Sequence, residues 1–79
     1  MNEFQLLIRI GDKIKEIRIQ KGLTQLDLAA KCNFEKSNMS RIESGRSNLT
    51  VKTMFTISNA LGVKIRDLVD VEYAIPNCD

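Results

Sequence analysis

Histidine and tryptophan are absent from this chain, proline occurs once and cysteine twice, and no long hydrophobic run is present. Without imidazole there is no histidine general base, no Ser-His or Cys-His nucleophile pair, and most mixed zinc sites are excluded. Cys32 and Cys78 lie too far apart for a C-x-x-C pair and are too few for a disulfide scaffold, which points to a reducing cytoplasm. No apolar run approaches the roughly 18 residues of a bilayer span, and Met1 to Gln5 has no basic stretch ahead of an apolar one. The expectation is a soluble cytoplasmic protein without a membrane partner. Paired carboxylates, a metal cluster and a phosphate-cradling glycine loop are also missing, so the composition speaks against an enzyme, a cofactor or a small-molecule ligand.

A chain of 79 residues makes one domain. At this size only roughly 60–65% of the unfolded surface is hidden on folding, which suits a small helical module better than a deep substrate cavity. The net charge of +2 is small, but its distribution is uneven: Arg9 to Lys52 carries ten Lys/Arg against five Asp/Glu, while Thr53 to Asp79 is net acidic. A basic segment of this kind favours a polyanionic partner, and an ordinary solvated surface accounts for the charge equally well.

Leu7, Ile10, Ile14 and Ile17 recur at steps of three and four, one face of a helix running from about Glu3 to Gln20. Gly22 can close it in a left-handed conformation, and Thr24 can cap a second helix, Gln25 to Cys32, with Leu28, Ala29 and Cys32 inward. Asn33 tolerates a left-handed turn and Phe34 is an apolar plug. A third helix follows Glu35, with Met39 and Ile42 inward and Lys36, Ser37, Ser40 and Arg41 on the opposite face; Ser44-Gly45 ends it. Thr50 caps a fourth helix built on Met54, Ile57 and Leu61 and closed by Gly62. A fifth, Ile65 to Val71, carries Leu68 inward. The fold class is therefore all-α, a compact bundle of five short helices.

Gly22-Leu23-Thr24-Gln25, then Leu28-Ala29, Met39-Ser40-Arg41-Ile42-Glu43-Ser44-Gly45 and Asn59-Ala60-Leu61-Gly62-Val63 stand at fixed spacings. Together they resemble the phage repressor and Cro type of helix-turn-helix protein, the xenobiotic response element family of transcriptional regulators, from Ile10-Gly11 to Leu68. The resemblance implies a lambda-repressor-like DNA-binding domain over residues 1–72 and a C-terminal tail over 73–79. Helices two and three would form the DNA-reading unit, and Arg18 and Glu43 match a pair that in this family joins helix one to helix three. Asn33 stands where many members have Gly, Glu35 where Ser or Thr is common, and Leu49 where Pro is frequent. Glu35 is the least comfortable of these, because phosphate repels a carboxylate unless it is occupied with its own helix N-terminus. Capping is its expected role and base contact the alternative.

A major groove admits one helix, and side chains near that helix's N-terminus reach base edges. Lys36, Ser37, Ser40 and Arg41 are the candidate base-contacting residues, with Arg41 able to fork onto guanine O6 and N7. Gln25, which the resemblance makes a phosphate-facing glutamine, joins Asn38, Ser44, Arg46 and Lys52 as candidate phosphate contacts. Leu6, Ile8 and Ile19 fall outside the first helix's core stripe, and Val69, Val71, Tyr73 and Ile75 make the C-terminal end more apolar than solvent requires. A twofold homodimer through the latter four, bound to a pseudo-palindromic double-stranded operator, would use that surface. Length and the lack of a ligand domain look similar to the controller proteins of restriction-modification systems. An antitoxin-like or other protein-interaction module is the alternative from another class.

Overall fold

The computed structural model describes residues 2–73, within which the chain forms α1 (Glu3–Gln20), α2 (Gln25–Cys32), α3 (Lys36–Glu43), α4 (Val51–Leu61) and α5 (Ile65–Val69), with no strand. Local chemistry sets these boundaries. Asn2, Thr24 and Thr50 each accept a backbone N–H from the third residue of the helix they precede, which satisfies one of the donors a helix start leaves free. Asn2 with Gln5, and Thr24 with Asp27, complete reciprocal capping boxes.

The link between α2 and α3 turns on Asn33, the one non-glycine residue with positive φ among those described (φ 59°, ψ 39°). Phe34 N–H reaches back to Ala29 O at 2.8 Å and Asn33 N–H to Ala30 O at 3.2 Å, the paired bonds that end a helix and redirect the chain. Asn visits this left-handed region more readily than other side chains, so the turn forms without glycine. Phe34 then lies half-buried against the core.

Ile14, Leu28, Met39, Ile42, Ile57 and Leu68 are fully buried and bring all five helices to one centre. Each such side chain contributes about 1.5–3 kcal/mol of transfer free energy. Cys32 belongs to the same core as a free thiol, and burial pushes its pKa up. The stripe on α1 begins at Leu6, which packs against the core, and so runs 6, 10, 14, 17 instead of starting at Leu7. Ile8 and Ile19 remain exposed as expected.

The fifth helix stops at Val69, two residues before the expected Val71. Asp70 has φ −79° and ψ 78°, and Val71 N–H bonds to Val69 O at 2.9 Å. That is an inverse γ-turn, and it folds Val71 back against the protein's own core. Val71 is thus half-buried, with part of its side chain packed on the monomer's own core. Ile75, Cys78 and most of the 73–79 tail lie outside the described residues.

Gly11 sits in the middle of α1, where glycine ordinarily costs about 1 kcal/mol relative to alanine. A Cβ there would lie 2.6 Å from the carbonyl oxygens of both Ile42 and Glu43. α1 therefore crosses the C-terminal turn of α3 backbone to backbone. Gly45, with φ 77°, makes a similar approach to Ile8 of α1, whose Cα lies 2.6 Å from where its Cβ would be. These two glycines fix the height at which α3 rests on α1.

Candidate nucleic-acid interface

α3 has two faces of opposite chemistry. Met39, Ile42 and Glu43 are buried, whereas Lys36, Ser37 and Arg41 are exposed and Ser40 is half-exposed. Lys36 and Ser40, like Ser37 and Arg41, stand four residues apart, so the four side chains form one contiguous patch on a helix about 12 Å long. The patch offers two cations and two hydroxyls, the donor set that suits major-groove acceptors.

Lys36 and Arg41 give the patch two positive charges, and the one carboxylate within α3 itself is withdrawn from it. Glu43 is buried and accepts from Arg18 Nε at 2.7 Å and from Arg18 Nη2 at 3.0 Å. Arg18 Nη1 donates to the Leu23 carbonyl at 2.7 Å, and Gln25 Nε2 donates to Glu43 Oε1 at 3.1 Å. Every buried polar side-chain atom among the described residues has a partner. A buried ion pair is tolerated only when its remaining donors and acceptors are satisfied in this way. The network ties α1, the α1–α2 turn, α2 and the end of α3 into one frame. The Arg18–Glu43 pairing expected between helices one and three is present.

Gln25 was expected to face phosphate. Its side chain is half-buried, and its amide is engaged with Glu43, a contact across 18 residues with no trace in the local sequence. Ser44 Oγ donates to the Arg41 carbonyl at 3.1 Å and accepts from Arg46 Nε at 2.8 Å. The hydroxyl thereby steadies the Arg46 guanidinium just past the helix end. Arg46 and Lys52 are exposed and Asn38 is half-buried at the edge of the patch.

Glu35 occupies the N-cap position of α3 with extended backbone (φ −67°, ψ 145°), but its side chain makes no capping hydrogen bond. The capping role expected for it is therefore not met. Well-capping side chains are one methylene shorter or carry a hydroxyl on Cβ; the longer glutamate side chain does not close the bond.

Outside α3, several large apolar side chains are exposed. Val51 and Phe55 of α4 are 69% and 55% exposed, and Val69 and Tyr73 are 39% and 55% exposed. An open recess of about 370 Å³ that includes Val69 is lined also by Glu3, Leu6, Leu7, Ile10, Asn48, Leu49 and Met54. Val51 and Phe55 escaped sequence reasoning because they are interleaved with the buried stripe of α4. No described helix is long and apolar enough to cross a membrane.

The helix-turn-helix family profile matches residues 14–68, from the middle of α1 to the end of the bundle. The control protein C.BamHI of Bacillus amyloliquefaciens is 37% identical over 79 residues, 99% of this chain and 94% of the relative. The immunity repressor protein of Bacillus phage phi105 is 36% identical over 66 residues; these are 84% of this chain but 46% of the repressor, so the chain spans about half that relative's length. Among solved structures, the restriction-modification controller protein C.AhdI from Aeromonas hydrophila superposes with a TM-score of 0.76 at 29% identity, covering 78% of this chain and 94% of the other. Family members are regulators and not enzymes. With the paired α2 and α3, the Asn33 turn and the polar outer face of α3 in place, the chain belongs to the xenobiotic-response-element type of helix-turn-helix DNA-binding transcriptional regulators.

Proposed function

We propose that the protein is a cytoplasmic, sequence-specific regulator that lays α3 in the major groove of a pseudo-palindromic operator as a homodimer. The observation that carries this reading is the division of α3, with one face locked to the scaffold and Lys36, Ser37, Ser40 and Arg41 left together on the other. Arg41 is suited to a bidentate contact with guanine O6 and N7, Lys36 to the same acceptors as a point charge, and the two hydroxyls to either donors or acceptors. Gln25, Asn38, Ser44, Arg46 and Lys52 flank the patch and set register on the phosphates.

One short helix touches too few base pairs to select a single site in a genome, and two helices about 34 Å apart on one face of the duplex multiply the discrimination. The exposed apolar side chains Val51 and Phe55 of α4, Val69 of α5 and Tyr73 beyond it support pairing through this end of the chain, which leaves α2 and α3 free. Sedimentation of the free protein at micromolar concentration, together with selection of bound duplexes from a random pool, tests both parts. A dimer and inverted half-sites are expected. A monomer whose selected sites lack inverted symmetry would contradict the dimeric reading, and a pool that never converges would contradict sequence-specific binding altogether.

A further inference from the structure

The N-terminus of α3 is finished differently from those of α1, α2 and α4. Asn2, Thr24 and Thr50 cap with bonds of 3.0, 3.0 and 3.1 Å. Glu35 stands in the equivalent place with equivalent backbone and caps nothing. It is exposed, and it takes part in no side-chain hydrogen bond or ion pair among the described residues. A free carboxylate therefore stands at the leading end of the helix whose next two residues, Lys36 and Ser37, begin the outward patch.

On a surface that approaches DNA, this carboxylate is repelled by every phosphate and weakens binding to all sequences alike. It becomes favourable only where it meets a hydrogen-bond donor. The major groove offers two, the amino groups of cytosine and adenine, while guanine and thymine show acceptors that a carboxylate rejects. Adenine places its N7 acceptor beside its amino group, and cytosine does not, so cytosine is the better match. The guanine paired with that cytosine presents O6 and N7, which suit the neighbouring Lys36 ammonium. We infer that Glu35 is a specificity-determining residue that selects cytosine at one position of the bound site by accepting a hydrogen bond from its N4 amino group. The inference rests on the proposed insertion of α3 into the major groove and adds a base identity to it.

Selection from a random duplex pool with the full chain, Glu35→Gln and Glu35→Ala tests it. The wild type should fix cytosine in one column. Glu35→Ala should flatten that column, erasing a preference of roughly tenfold, while columns set by other residues persist and binding to random DNA tightens. Glu35→Gln, which carries both a donor and an acceptor, should move the column towards adenine. Unfolding midpoints of both variants should stay close to the wild type, because the Glu35 side chain makes no hydrogen bond in the free protein and its charge at the helix N-terminus contributes at most about 1 kcal/mol. An unchanged cytosine column in Glu35→Ala and Glu35→Gln overturns the role of Glu35 alone. A wild-type pool that selects no sequence overturns the groove-reading proposal beneath it as well.

Discussion

The inner and outer faces of α3 are opposite in chemistry, one packed into the bundle and the other open to solvent. On the inner face, Met39 and Ile42 are buried, Glu43 is held by Arg18 and Gln25, and the backbone touches Gly11. On the outer face, Lys36, Ser37, Arg41 and Glu35 extend into solvent without partners that fix them. The side chains that hold α3 to the scaffold and those proposed to read DNA are therefore different ones. A helix held this firmly from behind loses little order on binding, and its free face can change identity without endangering the fold.

The sharpest way to break the inner face is to remove one member of its ion pair. Arg18→Ala leaves the Glu43 carboxylate buried without its cation, and the loss in unfolding free energy should be about 3–5 kcal/mol, read from urea or thermal denaturation. A loss below 1 kcal/mol would mean that solvent already screens the pair. Gly11→Ala should cost about 1–3 kcal/mol despite alanine's higher helix propensity, because the new methyl meets two backbone carbonyls that cannot swing aside. A more stable Gly11→Ala variant would show that α1 and α3 can separate freely.

Changes at the helix ends should act less strongly. Glu35→Ser supplies the missing cap and should raise stability by about 1 kcal/mol, with a midpoint shift in denaturation as the readout; no shift would mean that water already satisfies those N–H groups equally well. Asp27 sits in the capping box of α2, where first the Thr24 backbone N–H and then its hydroxyl hold the carboxyl below its ordinary value of 3.8. A lowered folded-state pKa contributes stability above the unfolded value and loses it as the pH falls through the folded one. The gap in melting temperature between wild type and Asp27→Asn should therefore narrow as the pH drops below 3.8. A constant gap would remove the ionised cap from the account.

The same contrast explains what could be read from the sequence. Helix boundaries were legible wherever a short side chain or a left-handed residue marks them, as at Thr24, Asn33, Thr50 and Gly62, because capping is local chemistry. The outer patch was legible from helical spacing once Met39 and Ile42 had been assigned inward. Leu6 and Leu7 could not be told apart, since either continues an apolar stripe and only the direction in which α1 meets its neighbours decides. The end of α5 depends on a single turn at Asp70 that Val69 and Val71 do not announce. Gln25 reaches Glu43 across the fold, and no local pattern encodes a contact between residues so far apart. Glu35 fits a capping rule by charge and fails it by side-chain length, which becomes visible only with the backbone in place.

Affinities for a selected operator and for a scrambled duplex of the same length, measured at one fixed salt concentration with the wild type, Lys36→Ala and Arg41→Ala, test the separation of the two faces most directly. Each variant should keep its unfolding free energy to within about 0.5 kcal/mol while the ratio of specific to scrambled binding falls by about 1–3 kcal/mol. Unchanged ratios, or variants that lose stability in step with binding, would contradict a reading face that is independent of the fold.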